Sequence, residues 1–293
     1  MFKITKKEWL ADNIFLMDIE APRVARTCMP GQFVIVIAQE KGERVPLTIC
    51  DYNREAGTVT IVVQTVGAET TELGEYEAGD SVRDFVGPLG NASDLTKLDH
   101  AALAEKKIVF MAGGLGTAPI YPQVKWLHEQ GISCDVIIGA RNKSLIILEE
   151  RMKEVAGNVY VCTDDGSYGF HGNCNAMLTE LVKNRGKVYN HAVAIGPLIM
   201  MKFACVLTKE LGIPTVVSMN PIMVDGTGMC GACRVVVGGQ VRFACVDGPE
   251  FDGHLVDFDQ AMKRQQIYKT EEGRRLLAVK EGATHSGHCA LDK

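Results

Sequence analysis

No apolar run in this sequence reaches the roughly 18–20 residues of a membrane span, so no transmembrane helix is expected. Basic residues are not in excess either. Lys and Arg number 31 against 36 Asp and Glu, giving a net charge of −5 and a pI of about 5.8. That balance argues against nucleic acid or an anionic membrane as partner. The opening MFKITKKEWLADNIFLMDIE alternates polar and apolar residues like a strand. It lacks the unbroken apolar stretch and small-residue cleavage site of a signal peptide. No internal repeat and no low-complexity tract is found. These absences leave a cytoplasmic globular protein as the expectation.

What is present supports two or three domains with real cores: 293 residues, 46% hydrophobic and 23% charged. Cysteine is abundant, with ten in the chain. Cys28, Cys50, Cys134, Cys162, Cys174 and Cys205 are scattered singly, several inside apolar segments such as 132–138. They read as small core hydrophobes of a reduced protein, not as a disulfide framework.

Composition changes three times along the chain. Residues 1–98 read as short strands broken by Gly, Pro and Asp, at 14–19, 32–38, 58–64 and 81–86, which suggests a small antiparallel barrel. Residues 99–219 alternate buried strands (107–112, 135–139, 158–162, 192–196, 215–218) with helical patterns (120–130, 145–155, 174–183, 198–211). Five alternations argue for a doubly wound, five-stranded parallel sheet. Residues 220–250 are Gly-rich and cysteine-bearing, too short to make a core without a staple. Residues 251–293 form a tail with one helix from about Asp259 to Arg264 and beyond. It ends in HSGHCALDK, where His285, His288 and Cys289 read as a frayed end rather than a chelating site.

The segment KIVFMAGGLGTAPIYPQVKWLHEQ is a strand, a glycine turn and a helix. Gly113, Gly114 and Gly116 permit close approach of the backbone to a ligand. The N–H groups of the helix that follows Thr117, starting near Pro119, suit a pyrophosphate. The strict G-x-G-x-x-G pattern is not met, because Pro119 stands at the last glycine. The third sheet strand ends in CTDDGSYGFHGN. Asp164 and Asp165 there can bond ribose hydroxyls and repel a 2′-phosphate, which favours NAD over NADP. The bland reading is a solvated turn with Gly166 at positive φ. The fourth strand ends in IGPLIMM, placing Gly196 and Pro197 on the same rim.

The stretch VDGTGMCGACRVVVGGQVRFAC holds Cys230, Cys233 and Cys245, with no fourth cysteine nearby. Counting back five residues from Cys230 gives Asp225. The set Asp225-x4-Cys230-x2-Cys233-x11-Cys245 has the spacing of plant-type [2Fe–2S] loops with the first cysteine replaced. Gly226, Gly228, Gly231 and Ala232 leave backbone N–H groups open to bridging sulfides. A zinc site of three cysteines and one carboxylate competes, although a second C-x2-C pair is absent.

The turn G-G-x-G-x-x-P after a barrel resembles the ferredoxin–NADP reductase superfamily, which implies a flavin on the barrel. ERVPLTIC is similar to that family's flavin stretch, with Arg44, Pro46, Leu47 and Thr48; Thr48 fits the hydroxyl near the isoalloxazine, while Val45 stands where arginine is expected. VGAETTEL resembles the pyrophosphate loop through Gly67, Thr70 and Thr71, with Glu69 in place of a glycine. GPLGN supplies Gly87 and Gly90. A flavin barrel, a nucleotide domain and a C-terminal [2Fe–2S] loop, in that order, resemble the electron-transfer subunits of dihydroorotate dehydrogenase and their relatives. The stretch 219–258 is similar to one branch, the small (alpha) subunits of NADH-dependent reduced ferredoxin:NADP oxidoreductase, a group also described under the name sulfide dehydrogenase. That branch has aspartate at the first ligand position.

The resemblance implies FAD, a [2Fe–2S] cluster and NAD(H). It also implies a larger glutamate-synthase-like flavoprotein subunit with a second FAD and [4Fe–4S] clusters. That partner would handle NADP(H) and split electron pairs, sending one branch to ferredoxin and the other through this chain to NAD. No side-chain acid or base is required, and His171 and His254 read as loop or packing residues. Alternatives are an electron-transfer subunit of dihydroorotate dehydrogenase or of a hydrogenase, and a non-catalytic, zinc-stapled nucleotide-binding protein.

Overall fold

Seven antiparallel strands make the first unit of the computed structural model, which describes residues 1–40 and 42–280. They are β1 (Phe2–Ala11), β2 (Ile14–Glu20), β3 (Phe33–Ile37), β4 (Val45–Asn53), β5 (Thr58–Gln64), β6 (Ser81–Val82) and β7 (Asp84–Leu89), in the order β6-β1-β2-β5-β4-β3-β7. Phe15, Met17 and Ile19 of β2 and Val59, Ile61 and Val63 of β5 alternate into the barrel, while Ile14, Leu16 and Val62 on the opposite face of the pleat are buried against the next unit. The single strand expected at 81–86 is instead a corner. β6 pairs with β1 at one edge and β7 with β3 at the other, so the kink at Arg83, whose N–H donates to Ala38 O at 3.0 Å, closes the sheet into a barrel.

The second sheet follows with β8 (Ile108–Gly113), β9 (Asp135–Ala140), β10 (Asn158–Thr163), β11 (Phe170–His171), β12 (His191–Ile195) and β13 (Thr215–Ser218). The hairpin β14 (Arg234–Val237) and β15 (Gln240–Phe243) stands outside it, and β16 (Glu250–Asp252) returns to it. The order is β11-β10-β9-β8-β12-β13-β16, parallel throughout except where β16 runs antiparallel on β13. The chain reverses its winding at β8, which puts the ligand crevice of such sheets above that strand. Every residue of β8 is buried. Ile108, Phe110 and Ala112 face the helices Thr117–Glu129 and Glu149–Val155, while Val109 and Met111 face Cys174–Thr179 and Leu198–Glu210.

Ile14, Leu16, Cys50 and Val62 of the barrel belong to the same apolar cluster as Ala118, Tyr121 and Val124 of the helix Thr117–Glu129. Barrel and nucleotide sheet thus share a core, and Lys125 reaches Asp51 at 2.7 Å across the seam. The scattered cysteines are buried free thiols, as expected; burial pushes Cys28 up to about 11 and Cys134 up to about 12. Residues 251–280 are more ordered than a tail. β16 covers the edge of β13, and the helix Phe258–Arg264 buries Phe258 and Ala261. A second helix, Lys269–Lys280, reaches the barrel, where Arg275 meets Glu43 at 3.5 Å. His285, His288 and Cys289 lie outside the described residues. Among the described residues, no helix is long and apolar enough to cross a membrane.

Candidate functional site

The glycine-bearing strand ends meet at one edge of the parallel sheet. β8 runs out at Gly113 and the chain passes Gly114 and Gly116 into the helix. No side chain fits at Gly116, because its Cβ would stand 2.1 Å from the Ile195 carbonyl oxygen at the end of β12. A Cβ on Gly196 would lie 3.0 Å from Gly113 Cα, and one on Gly113 would lie 3.1 Å from Pro197 Cδ. The helix begins at Thr117 rather than near Pro119. Gly116 already has helical angles, and the buried Thr117 hydroxyl donates to Gly114 O at 3.0 Å. Pro119 then sits in the first turn, where its missing N–H costs no helical bond.

At the end of β10, Asp164 and Asp165 are exposed. Their N–H groups donate to the Ala140 and Arg141 carbonyls at 3.0 and 3.2 Å. Asp165 Oδ1 accepts the Ser167 N–H at 2.9 Å, and hydrogen bonds from Ser167 hold this carboxyl below its ordinary pKa. Gly166 has φ +72°, so the tight turn is real. The rim also contains two residues that the sequence reading passed over, Arg141 and Lys143. Lys143 donates its N–H to Ser167 Oγ at 2.9 Å, and its Nζ lies 5.0 Å from the Tyr168 ring centre. The end of β9, at GARNK, was the available signal. The rim carries both signs of charge.

On the barrel, Pro46, Leu47 and Thr48 of β4 lie half-buried opposite Ile35, Val34 and Phe33 of β3. Gly67 heads the short helix Ala68–Leu73. The Thr70 hydroxyl accepts the Gly67 N–H at 3.0 Å, and the Thr71 hydroxyl donates to Gly67 O at 2.8 Å. Glu69, where the resemblance expects glycine, is buried. Its carboxylate accepts the Ala38 N–H at 3.2 Å and the Glu43 N–H at 3.0 Å, which pins the β3–β4 loop. Gly87 and Gly90 let β7 close on β3: Cβ atoms there would stand 2.7 Å from Val34 Cγ1 and 2.9 Å from Phe33 Cε1. Arg44 goes elsewhere. Its Nε donates to Val224 O and its Nη2 to Asp225 O at 3.2 Å.

The cysteine loop is seated on the barrel. Met223, Cys233, Ala244 and Cys245 form one buried cluster with Phe33 and Ile35, and Leu89 packs against it. Asn91 ties the two together, donating its N–H to Gly248 O at 2.7 Å and its side-chain amide to Val246 O at 3.0 Å. Within the loop the Cys233 thiol donates to Cys245 Sγ at 3.2 Å, and burial pushes the Cys245 thiol up to about 12. Backbone N–H groups turn toward sulfur: Ala232 to Cys230 Sγ at 3.5 Å, and Gly228 to Cys245. Gly226, Gly228 and Gly231 all have positive φ, and a Cβ on Gly226 would meet Ile35 Cδ1 at 2.6 Å. Thiols in an apolar seat, with amide donors aimed at them, fit an iron–sulfur cluster. The loop does not draw all four expected donors to one point. Cys230 is exposed, and both Asp225 oxygens accept loop amides, from Thr227 and Cys230 at 2.9 Å each. These bonds, that from Thr227 first, lower the Asp225 pKa. Among the described residues, no three His, Cys, Asp or Glu side chains converge as a metal site.

Residues 220–257 match the sequence profile of the iron-sulfur cluster binding domain of dihydroorotate dehydrogenase B. A Thermotoga maritima homolog of the dihydroorotate dehydrogenase B (NAD(+)) electron transfer subunit is 43% identical over 270 residues, covering 92% of each chain. The electron transfer subunit of that enzyme from Desulforamulus reducens is 32% identical over 256 residues, 85% of this chain and 94% of that one. This chain belongs to the dihydroorotate dehydrogenase B electron transfer subunit family. A solved structure of NADH-dependent reduced ferredoxin-NADP oxidoreductase, an enzyme of flavin-based electron bifurcation, superposes on this member with a TM-score of 0.86. It shares 41% identity and covers 94% of this chain and 98% of its own. As a member of the family the chain is an oxidoreductase electron-transfer subunit. Its C-terminal segment is the family's iron–sulfur module, set on a flavin-reductase-like barrel and nucleotide sheet.

Proposed function

We propose that this chain exchanges hydride between NAD(H) and FAD, and single electrons between FAD and a [2Fe–2S] cluster, in a complex of the NADH-dependent ferredoxin:NADP oxidoreductase type. Its partner is a larger glutamate-synthase-like flavoprotein with FAD and [4Fe–4S] clusters, linked to ferredoxin, and the complex works in the cytoplasm. The observation that carries the reading is the seat of Cys233 and Cys245 on Phe33, Ile35 and Leu89, one strand away from Thr48. Bound FAD would supply the conversion between two-electron and one-electron transfer.

The chain's own residues would do the positioning. Gly113, Gly114 and Gly116, Thr117, Gly196 and Pro197 offer the dinucleotide a bare backbone rim. Asp164, Asp165 and Gly166 offer it a ribose-binding turn. Pro46, Leu47, Thr48, Gly67, Thr70, Thr71, Gly87 and Gly90 line the flavin side. Nicotinamide and flavin must meet at roughly 3–3.5 Å, so rigid rims are the main contribution. Asp225, Cys230, Cys233 and Cys245 would hold the iron.

The names of the relatives support a second reading, an electron-transfer subunit serving dihydroorotate dehydrogenase. Asp225 in place of the first cysteine favours the first. The test is anaerobic purification with the native partner. Two irons and two labile sulfides per chain, and flavin bleached by NADH with ferredoxin and NADP as partners, are expected. Reduction by NADPH alone at this chain's flavin would overturn the coenzyme assignment. Dihydroorotate oxidation by the purified complex would favour the second reading.

A further inference from the structure

Arg44 lies one residue before the position at which the flavin stretch of the resembling family carries its arginine, and its guanidinium is engaged by the iron–sulfur loop. In extended chain, successive side chains project to opposite sides, so a one-residue shift sends a side chain to the other face. Val45 begins β4 and pairs with Val36. Arg44, just outside the strand, reaches across to two successive peptide oxygens, Val224 O through Nε and Asp225 O through Nη2 at 3.2 Å.

We propose that Arg44 is a positioning residue for the iron–sulfur loop, clamping the Val224–Asp225 backbone to the flavin barrel and placing a positive charge on the loop that would hold the cluster. This rests on the electron-transfer function proposed above. Residues 220–223 before the clamp have no regular structure, and the loop is tied by side chains from elsewhere, Gln265 Nε2 donating to Asn220 O at 3.1 Å just ahead of the two oxygens that Arg44 holds. A guanidinium presents several donors in a rigid fork, which suits two adjacent oxygens better than a lysine does. The base of the clamp is itself fixed. The neighbouring Glu43 N–H is held by the buried Glu69 carboxylate at 3.0 Å, and the Glu43 side chain meets Arg275 at 3.5 Å. The same loop therefore joins the flavin barrel, the C-terminal helix and the residue expected as first iron ligand. A cluster that gains an electron gains negative charge, so a nearby fixed cation favours its reduced form.

The test compares Arg44→Gln and Arg44→Lys with the wild-type complex. The readouts are FAD content, iron content, the EPR g-values and midpoint potential of the [2Fe–2S] cluster, and hydrogen exchange of amides 224–230. R44Q should keep its FAD, shift the g-values and speed exchange in the loop. It should also lower the cluster's share of electrons against a fixed-potential donor about tenfold, equivalent to 59 mV for one electron. R44K should recover the potential while its g-values stay displaced, because it returns the charge without the fork. Wild-type g-values and potential in R44Q would overturn the proposal, as would loss of FAD with the cluster signal intact, which would return Arg44 to the flavin phosphates. Should R44Q not assemble, R44K decides: displaced g-values support the clamp, and wild-type g-values with wild-type exchange overturn it. A wild-type complex without iron would instead sink the underlying function, so the two failures are separable.

Discussion

The nucleotide rim and the cysteine loop are both glycine-rich, yet they are held by different means. The rim is backbone against backbone: Gly116 abuts Ile195 O, and Gly196 abuts Gly113, inside a parallel sheet whose central strand is wholly buried. The loop is held by side chains reaching in from elsewhere, Arg44 from the β3–β4 loop and Asn91 from the end of the barrel. A rim of the first kind leaves no latitude. A loop of the second kind can be loosened one tie at a time.

The hardest blow to that contrast is Gly116→Val. Its branched side chain would overlap the Ile195 carbonyl with nowhere to move, and an overpacked core site of this sort costs about 3 kcal/mol or more. Thermal unfolding should fall sharply and NADH titration should lose its response, while a variant that bound NADH normally would show the rim to be soft.

A middle-sized effect comes from Glu250, which stands between the two regions. Its carboxylate accepts from Gln123 Nε2 at 2.6 Å; burial raises its pKa to about 7 from 4.5, with hydrogen bonds from Ser93 and Gln123 partly opposing. The folded chain therefore holds a proton that the unfolded chain has released between these values. This stabilising difference is intact below pH 4.5 and is lost as pH climbs toward 7, amounting to about 3 kcal/mol at roughly 1.4 kcal/mol per pKa unit. Glu250→Gln should flatten the stability–pH curve over that window. Denaturant melts at a series of pH values check it, and an unchanged slope would assign the dependence to other groups.

The smallest effect is Asn91→Ala. It removes one side-chain hydrogen bond to Val246 O, worth about 1 kcal/mol. Hydrogen exchange should quicken around 246–248 and stay unchanged at 113–117. Equal quickening in both regions would erase the distinction.

Where the sequence was legible, local pattern coincided with the fold. Thr58–Gln64 and Thr215–Ser218 are found to the residue, because β-branched runs bounded by turns have one reading. The corner at Arg83 was not legible, since the partner of each half is set by strands from distant parts of the chain. β4 escaped as a strand because Pro46 interrupts its pattern. In the site, the glycines, the aspartate pair and the cysteine spacing could be read, because each is local. Glu69 and Arg44 could not. Their destinations, the Ala38 and Glu43 amides and the Val224 and Asp225 carbonyls, depend on packing between remote segments.

The apolar seam between Ile14, Leu16 and Val62 of the barrel and Tyr121 and Val124 of the first nucleotide helix has a mechanical corollary. Two bodies that bury a common interior can part only by exposing it to water, which opposes any opening between them. Swinging the nucleotide sheet away from the barrel would uncover Ile14, Leu16, Val62, Tyr121 and Val124 together, so the rim and the barrel face are held at a fixed spacing by the same contacts that build the core.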